Sequence, residues 1–220
     1  MTENKSLSQA DTVIIHKTED LTEPSNFVKL RRTHYTEGAV GLRRKWDYAK
    51  GTDACFIVIF NKTRKQLVFV KQMRIMYLVD TTSSVVQDKD TFHNRNDAVG
   101  LEMCAGIIDK DMTPKEIAIC EIEEECGYHI TKDDIVKIKT TKTLSNGAVG
   151  HWFYAEVTDE MRKSEGGGLE VEGENIEVVH LEVEEAERLI LLNDAEGDIS
   201  NLGSSFGLLW FLRYKWPQLK

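Results

Sequence analysis

Alternating apolar and polar positions predict that the first 50 residues form strands. The segments "TVIIHK", "FVKLRRTHY" and "LRRKWDYAK" alternate in this way, and "EGAVG" separates the last two as a turn. We therefore expect a small antiparallel β-domain over residues 1–50, followed by a second domain over residues 51–220.

The second predicted domain begins with two continuous apolar segments, "ACFIVIFN" and "QLVFVKQMRIMY", which the turn "NKTRK" separates. Apolar runs rich in β-branched residues are typical of central strands. Further strands are predicted for "LEMCAG", "IVKIKTTKTL", "HWFYAEVT" and "IEVVHLEV", with helices at the carboxyl end. The polar stretch from Asp80 to Gly100 has no periodicity and is interpreted as an excursion loop. The pattern indicates a β-rich order with one central helix and one or two helices at the carboxyl end.

A central helix is predicted between Thr113 and Gly127. Thr113 and Glu116 have the spacing of a capping box, and Pro114 occupies the first helical position. Gly127 supplies the end of the helix because glycine readily adopts the left-handed conformation found there.

The glutamates of this helix do not all share one face. At about 100° per residue, Glu121, Glu124 and Glu125 fall within one arc, and Glu123 projects elsewhere. Carboxylates so close together repel each other unless a cation lies between them. Two interpretations remain open, a solvated acidic face or a site for a hard divalent cation such as Mg²⁺. The residues of the separate, core-facing arc are Ala118, Ile119, Ile122 and Cys126.

The sequence around the helix resembles the Nudix box. Met112 stands where that motif has its first glutamate, and Cys120 stands where it has arginine. The two missing groups are of opposite charge, so their joint absence removes an ion pair as a unit and is expected to affect the reaction rate more than the fold. The positions that match the motif are Gly106, Glu121, Ile122, Glu124, Glu125, Gly127 and Tyr128.

The resemblance extends from about residue 27 to the carboxyl end. Segments such as "KWDY", "LVFVKQMR", "LEMCAGIID" and "GGGLEVEGENIEVVHL" are similar to UDP-sugar pyrophosphatases, close relatives of ADP-ribose pyrophosphatases. This implies the α/β class, with a Nudix α/β/α sandwich that has a mixed sheet and a small amino-terminal antiparallel β-domain that reaches across to the partner in a homodimer. It also implies hydrolysis of the diphosphate bond of a nucleoside diphosphate sugar, foremost UDP-glucose, with Mg²⁺, or Mn²⁺ as its substitute.

The resemblance assigns a metal site and a general base. It implies that Glu121 and Glu125 are the principal metal ligands, that Glu124 assists them, and that the carbonyl of Ala105 is a further ligand. The general base is expected on the loop "GGGLEVEGEN", where Glu174 is the first candidate, Glu172 the second, and Glu124 of the box the remaining one. The flanking glycines are expected to make this loop mobile. The alternative for Glu174 is a solvated acidic loop.

Three further residues are candidates for binding the substrate. Arg74 follows an apolar strand and is a candidate diphosphate contact, or an ordinary surface arginine. Glu102 is a candidate contact for the nucleoside, or a strand cap. Trp46 is a candidate for stacking on the base, or a core aromatic residue. Gly106 and Gly127 are assigned a structural role in the box.

Charge and composition narrow the function further. The net charge of -9 and the absence of a long Lys/Arg run argue against a nucleic-acid surface. No segment has the length of a signal peptide core or a membrane span, and the four cysteines lack zinc-ligand spacing, so we expect a cytoplasmic protein with reduced thiols. Two rival functions remain, an ADP-ribose pyrophosphatase and a catalytically weakened module that binds nucleotide sugars.

Overall fold

The computed structural model describes residues 12–25, 28–38, 41–79, 90–169, 171, 173–192 and 201–219. The strands are β1 (Thr12–Ile15), β2 (Lys29–Glu37), β3 (Leu42–Lys50), β4 (Ala54–Asn61), β5 (Gln66–Met73), β6 (Thr91–Asn94), β7 (Val99–Glu102), β8 (Cys104–Ile107), β9 (Ile135–Lys142), β10 (Val149–Val157) and β11 (Ile176–Glu182). The helices are α1 (Pro114–Cys126), α2 (Val183–Glu187), α3 (Leu202–Tyr214) and α4 (Trp216–Leu219).

The centre of the fold is a mixed sheet of seven strands. Its main order is β11-β5-β4-β10-β9, and β7 and β8 pair with β5 and β4 respectively. Strands β4 and β10 run parallel, whereas the other pairs of this sheet are antiparallel. The last residues of β4, Ile59–Asn61, pair with β5, and its first residues, Ala54–Ile57, pair with β8. Strand β8 therefore lies against the centre of the sheet and leads directly toward α1.

Strand β4 shows how the two faces of the sheet are covered. Because side chains alternate along a strand, Cys55 and Ile57 belong to the core under α1, and Val58 and Phe60 belong to the core under α2 and α3. Both sets are almost fully buried. Helices on both faces of a mixed sheet confirm the predicted α/β/α sandwich.

The amino-terminal part of the chain contains a hairpin. Strands β2 and β3 pair antiparallel from Lys29 opposite Lys50 to Glu37 opposite Leu42, as their alternation predicts. Nearly all their side chains are exposed.

Strand β1 does not join this hairpin, so the prediction of one small sheet for all three amino-terminal segments was wrong. It pairs with β6, from Thr12 opposite Asn94 to Ile15 opposite Thr91. The interpretation of residues 80–100 as a loop without regular structure was also wrong for its second half. That half contains β6, a 3₁₀ turn at Arg95–Ala98 and the start of β7, and residues 80–89 lie outside the described part of the chain.

Two boundaries also differ from the sequence prediction. The strand predicted for "QLVFVKQMRIMY" ends at Met73 and continues as a 3₁₀ turn over Ile75–Tyr77. The strand predicted for "LEMCAG" is divided at Met103 into β7 and β8, which pair with different neighbours. This division directs β8 toward the box helix.

Within the described residues, no helix combines the length and apolar character needed to cross a membrane.

Candidate active site

Helix α1 begins and ends at the predicted residues. The Oγ1 atom of Thr113 accepts a hydrogen bond from the backbone N–H of Glu116 at 3.3 Å, and Oε2 of Glu116 accepts one from the N–H of Thr113 at 3.0 Å. Gly127 ends the helix with a φ of 76°, in the left-handed region that favours glycine. The capping box and the glycine stop are therefore confirmed.

Glu116, near the start of α1, pairs with Lys132 beyond the end of the helix. Its Oε1 accepts a hydrogen bond from Nζ of Lys132 at 2.8 Å. Hydrogen bonds from Lys132 and then Thr113 lower the pKa of Glu116 from its ordinary 4.5 to about 2. Met112, which is exposed, is uncharged, and the raised pKa of Cys120 keeps its thiol neutral, so neither supplies the charge that the Nudix motif has at that position.

Glu125 is the most buried carboxylate of the helix, with 4% of the residue exposed. Its Oε2 accepts a hydrogen bond from the backbone N–H of Ala105 at 3.1 Å, which joins α1 to β8. Burial raises the pKa of Glu125 to about 8, and the nearby carboxylates of Glu121 and Glu174 act in the same direction. A cation placed among these carboxylates would offset both the burial and the repulsion.

The glutamate side chains line a cavity of about 320 Å³, which we call the acidic cavity. Glu123 is not among the lining residues, and instead its carboxylate lies 3.1 Å from the ring of His129. The helical phase predicted from the sequence therefore agrees with the structure. The lining residues that matter for the chemistry are Arg74, Ala105, Gly106, Glu121, Glu124, Glu125 and Glu174, and the sequence reasoning missed Gln72, Asp109 and Lys110, which also line it.

The donor set of the acidic cavity suits a hard divalent cation. Carboxylate and carbonyl oxygens are the ligands that Mg²⁺ and Mn²⁺ prefer. Two thiols lie nearby, since the sulfur atoms of Cys104 and Cys126 and a carboxylate oxygen of Glu125 are all within 4.8 Å of one another. Burial raises the pKa of the Cys104 thiol well above its ordinary value, which favours the neutral thiol over a metal-binding thiolate. The carboxylates are therefore the better candidate ligands.

The glycine-rich loop brings Glu174 to the same cavity. Oε2 of Glu174 accepts a hydrogen bond from the N–H of Leu169 at 3.0 Å. The N–H groups of Gly167 and Gly168 donate to the carbonyls of Glu125 and Glu124, at 2.9 and 3.1 Å. These glycines bond to the helix, a role that the sequence prediction of mobility did not include. Glu172, the second candidate base, lies outside the described residues.

A larger cavity of about 750 Å³ adjoins the acidic one. Ala54, Phe56, Arg74 and Ala105 line both cavities, so the two cavities share part of their wall. Nη2 of Arg74 donates to Oε2 of Glu102 at 2.7 Å, and Glu102 is only 8% exposed. The two predicted substrate residues are thus an ion pair at the junction of the cavities.

Aromatic side chains form part of the wall of the larger cavity. The rings of Phe56 and Trp152 stack with centroids 4.5 Å apart, and Trp152 Nε1–H donates to Oγ1 of Thr141 at 2.9 Å. The sequence reasoning missed these residues because their strand pattern shows only which positions are buried. Trp46 lines neither cavity: it lies on β3 opposite Thr33 and is 60% exposed.

The fold and the glutamate-bearing helix agree with the resemblance to the Nudix hydrolases. No family model matches the chain. The uridine diphosphate glucose pyrophosphatases NUDT14 of Bos taurus and Mus musculus are 34% and 33% identical to it over 201 and 204 residues, with 84% of this chain and 88% of each relative covered. A GDP-mannose pyrophosphatase of Klebsiella pneumoniae is 28% identical over 206 residues, which cover 90% of this chain and 91% of that protein.

A solved structure of an ADP compounds hydrolase superposes with a TM-score of 0.62 and 16% identity, covering 98% of both chains. At that identity the superposition shows a shared fold. The identity with the NUDT14 proteins shows more: the chain belongs to the Nudix hydrolases, in the family of the UDP-sugar pyrophosphatases.

Proposed function

We propose that the protein hydrolyses the diphosphate bond of nucleoside diphosphate sugars, foremost UDP-glucose, to UMP and glucose 1-phosphate with the help of Mg²⁺. One observation carries the proposal: three box glutamates and Glu174 line one cavity, with Arg74 at its junction with a cavity large enough for a nucleoside or a sugar. The names of the bovine and murine relatives favour UDP-glucose among the candidate substrates.

Glu121 and Glu125 are the proposed principal metal ligands, with Glu124 and the carbonyl of Ala105 completing the protein's share. The acidic cavity supplies the oxygen donors, and a cation there would stabilise the charged form of Glu125, whose pKa is raised by burial and by the neighbouring carboxylates. Mg²⁺ bound there would neutralise charge on the diphosphate and ease the ionisation of water, and Mn²⁺ is the proposed substitute. Gly106 leaves the space in which Glu121 lies.

Glu174 is the proposed general base. It would accept a proton from the attacking water while the water oxygen bonds to phosphorus and the bridging phosphorus–oxygen bond breaks, which yields the two monophosphates. Its position on the wall of the acidic cavity supports this role. Glu172 on the same loop is the second candidate, and Glu124 of the box is the remaining one.

Arg74 and Glu102 are the proposed substrate contacts at the junction of the two cavities. Arg74 lines both cavities, so its guanidinium is placed to contact a diphosphate that spans them. Glu102 holds that guanidinium by hydrogen bonds to Nε and Nη2, and its carboxylate also lines the larger cavity. The nucleoside or the sugar would occupy the larger cavity.

We propose a cytoplasmic homodimer in which the hairpin β2–β3 contributes to the partner's site. One face of the hairpin exposes the apolar side chains of Tyr35, Leu42 and Trp46, at 41%, 54% and 60%. Large exposed apolar side chains on a hairpin are typical of a surface that another chain covers. In such a dimer Trp46 could stack on the base bound by the partner, and residues 1–50 would form the dimerisation domain. Leu42 lies on the same face as Trp46, so sedimentation of the parent and of a Leu42→Ser variant tests this arrangement.

An ADP-ribose pyrophosphatase and a binding module without turnover are the rival functions. A thermal-shift panel of UDP-glucose, GDP-mannose and ADP-ribose, with and without Mg²⁺, followed by product analysis, separates them. UMP formation from UDP-glucose at the highest kcat/KM supports the proposal. A higher kcat/KM for ADP-ribose would show an ADP-ribose pyrophosphatase. Thermal stabilisation by UDP-glucose with no UMP formed over hours would show a binding module without turnover.

A further inference from the structure

The loop that carries Glu174 is hydrogen-bonded to the backbone of the metal-binding helix. The last carbonyls of a helix lack partners within the helix. In α1, the carbonyls of Glu124 and Glu125 accept hydrogen bonds from the N–H groups of Gly168 and Gly167. The loop thus completes the hydrogen bonding of the two residues whose side chains line the acidic cavity.

At position 166, only glycine lets the loop lie against the end of α1. Its φ is +73°, a conformation that other residues rarely adopt, and a Cβ atom there would overlap the carbonyl oxygen of Glu125. The backbone of the loop can therefore approach the helix closely enough for the bond from Gly167 only while residue 166 lacks a side chain.

Gly168 leaves room for the proposed base itself. A Cβ atom at Gly168 would lie 2.5 Å from Oε2 and 2.8 Å from Cβ of Glu174. The same carboxylate is held by the N–H of Leu169, and the N–H of Ile176 donates to the carbonyl of Gly167 at 3.1 Å. The side chain of Glu174 consequently packs against Gly168, in a loop whose two ends are joined by a backbone hydrogen bond between Ile176 and Gly167.

We propose that Gly166 and Gly168 are positioning residues for the reaction. Gly166 allows the loop to hydrogen-bond to α1, and Gly168 provides the space for the Glu174 carboxylate, so that the base is held in a fixed place relative to Glu121 and Glu125. This inference rests on the proposed function of Glu174. Misplacing a catalytic group by about 1 Å can cost on the order of 100-fold in rate, so the two glycines matter for turnover as well as for folding.

Gly168→Ala is the principal test, because its new methyl group meets the side chain of Glu174 first, then that of Ile176 at 3.0 Å, and not the helix. Gly38→Ala is the matched control: Gly38 has a similar φ of +75°, but nothing lies within 4 Å of its Cβ position. We expect Gly168→Ala to lower kcat for UDP-glucose by about 10- to 100-fold. Its KM and its Kd for Mg²⁺ should stay within about two-fold of the parent, and Gly38→Ala should keep the parent kcat. Gly166→Ala should also lower kcat, and a failure of this variant to fold leaves the Gly168 test intact.

A double-mutant cycle with Glu174→Gln separates positioning of the base from a general structural effect. If Gly168 acts through Glu174, then Gly168→Ala should cost no more than about two-fold in kcat once Glu174 is already glutamine. An equal loss in both backgrounds, or parent kcat in Gly168→Ala, would overturn the inference while the base assignment stands. Parent kcat in Glu174→Gln alone would overturn the base assignment first, and this inference with it.

Discussion

The carboxylate of Glu121 occupies the space that a side chain at Gly106 would need. A Cβ atom built on Gly106 would overlap Oε1 of Glu121. The φ of Gly106 is not in the left-handed region, so the need for glycine at this position comes from the contact and not from backbone strain. Gly106 and Glu121 are therefore one structural unit, because the position of the Glu121 carboxylate depends on the missing side chain at Gly106.

Gly106→Ala should displace Glu121 and weaken the metal site. We expect the Kd for Mg²⁺, measured by isothermal titration, to rise by at least about ten-fold, with a parallel loss of turnover. The double variant Gly106→Ala/Glu121→Gln should be no worse than Glu121→Gln alone, since the two residues act as a unit. Additive losses in the double variant would separate the two residues and contradict this interpretation.

Glu121→Gln and Glu125→Gln should each reduce kcat by at least about 100-fold, because the loss of a metal ligand removes several kcal/mol of transition-state stabilisation. Glu123→Gln is the control on the same helix, since Glu123 faces His129 outside the acidic cavity, and it should keep near-parent turnover. A loss in Glu123→Gln as large as in the other two variants would show that the wrong helix face has been assigned to the metal.

Glu174→Gln should lower kcat by about 10²- to 10⁴-fold, because a general base typically contributes that much. The dissociation constants for UDP-glucose and Mg²⁺ should change little, since this role needs no contact with the metal before the reaction. Glu172→Gln is the comparison. Loss of turnover in Glu172→Gln but not in Glu174→Gln would identify Glu172 as the general base. Normal turnover in both single variants and in the double variant would exclude this loop and leave Glu124 as the candidate base.

Local features of the box could be predicted from the sequence, because the signals lie within a few residues of each other. Thr113 and Glu116 bond across one helical turn, and Gly127 ends the same helix. The phase of Glu121, Glu124 and Glu125 follows from helical geometry alone. The prediction of α1 and of its acidic face therefore needed no knowledge of the rest of the chain.

Contacts between distant parts of the chain could not be predicted in the same way. The pairing of β1 with β6 joins segments on either side of β2–β5, and the alternation of "TVII" does not say which strand is its partner. The bonds from Gly167 and Gly168 to α1 likewise depend on a loop far along the chain. Trp46 was assigned to the site by resemblance, and within this chain it lines neither cavity.

The ion pair between Glu116 and Lys132 gives a pH dependence that does not involve the metal site. Because the pKa of Glu116 is lowered in the folded chain, its ionised form favours folding. This stabilisation is complete above its ordinary pKa of 4.5 and is lost as the pH falls toward about 2. Glu116→Gln should lower Tm at pH 7 and lower it less at pH 3, measured by thermal unfolding without metal. A difference in Tm that grew toward pH 3 would contradict this sign.

We propose that the acidic cavity makes this chain a Mg²⁺-dependent hydrolase of UDP-sugars. The most direct measurement is the amount of UMP formed from UDP-glucose by the parent protein with excess Mg²⁺, with EDTA, and by Glu125→Gln with Mg²⁺. We predict equal amounts of UMP and glucose 1-phosphate from the parent with Mg²⁺, and no more than about 1% of that rate in the other two reactions. Undiminished UMP formation in EDTA or by Glu125→Gln, or none by the parent with Mg²⁺, would contradict the claim.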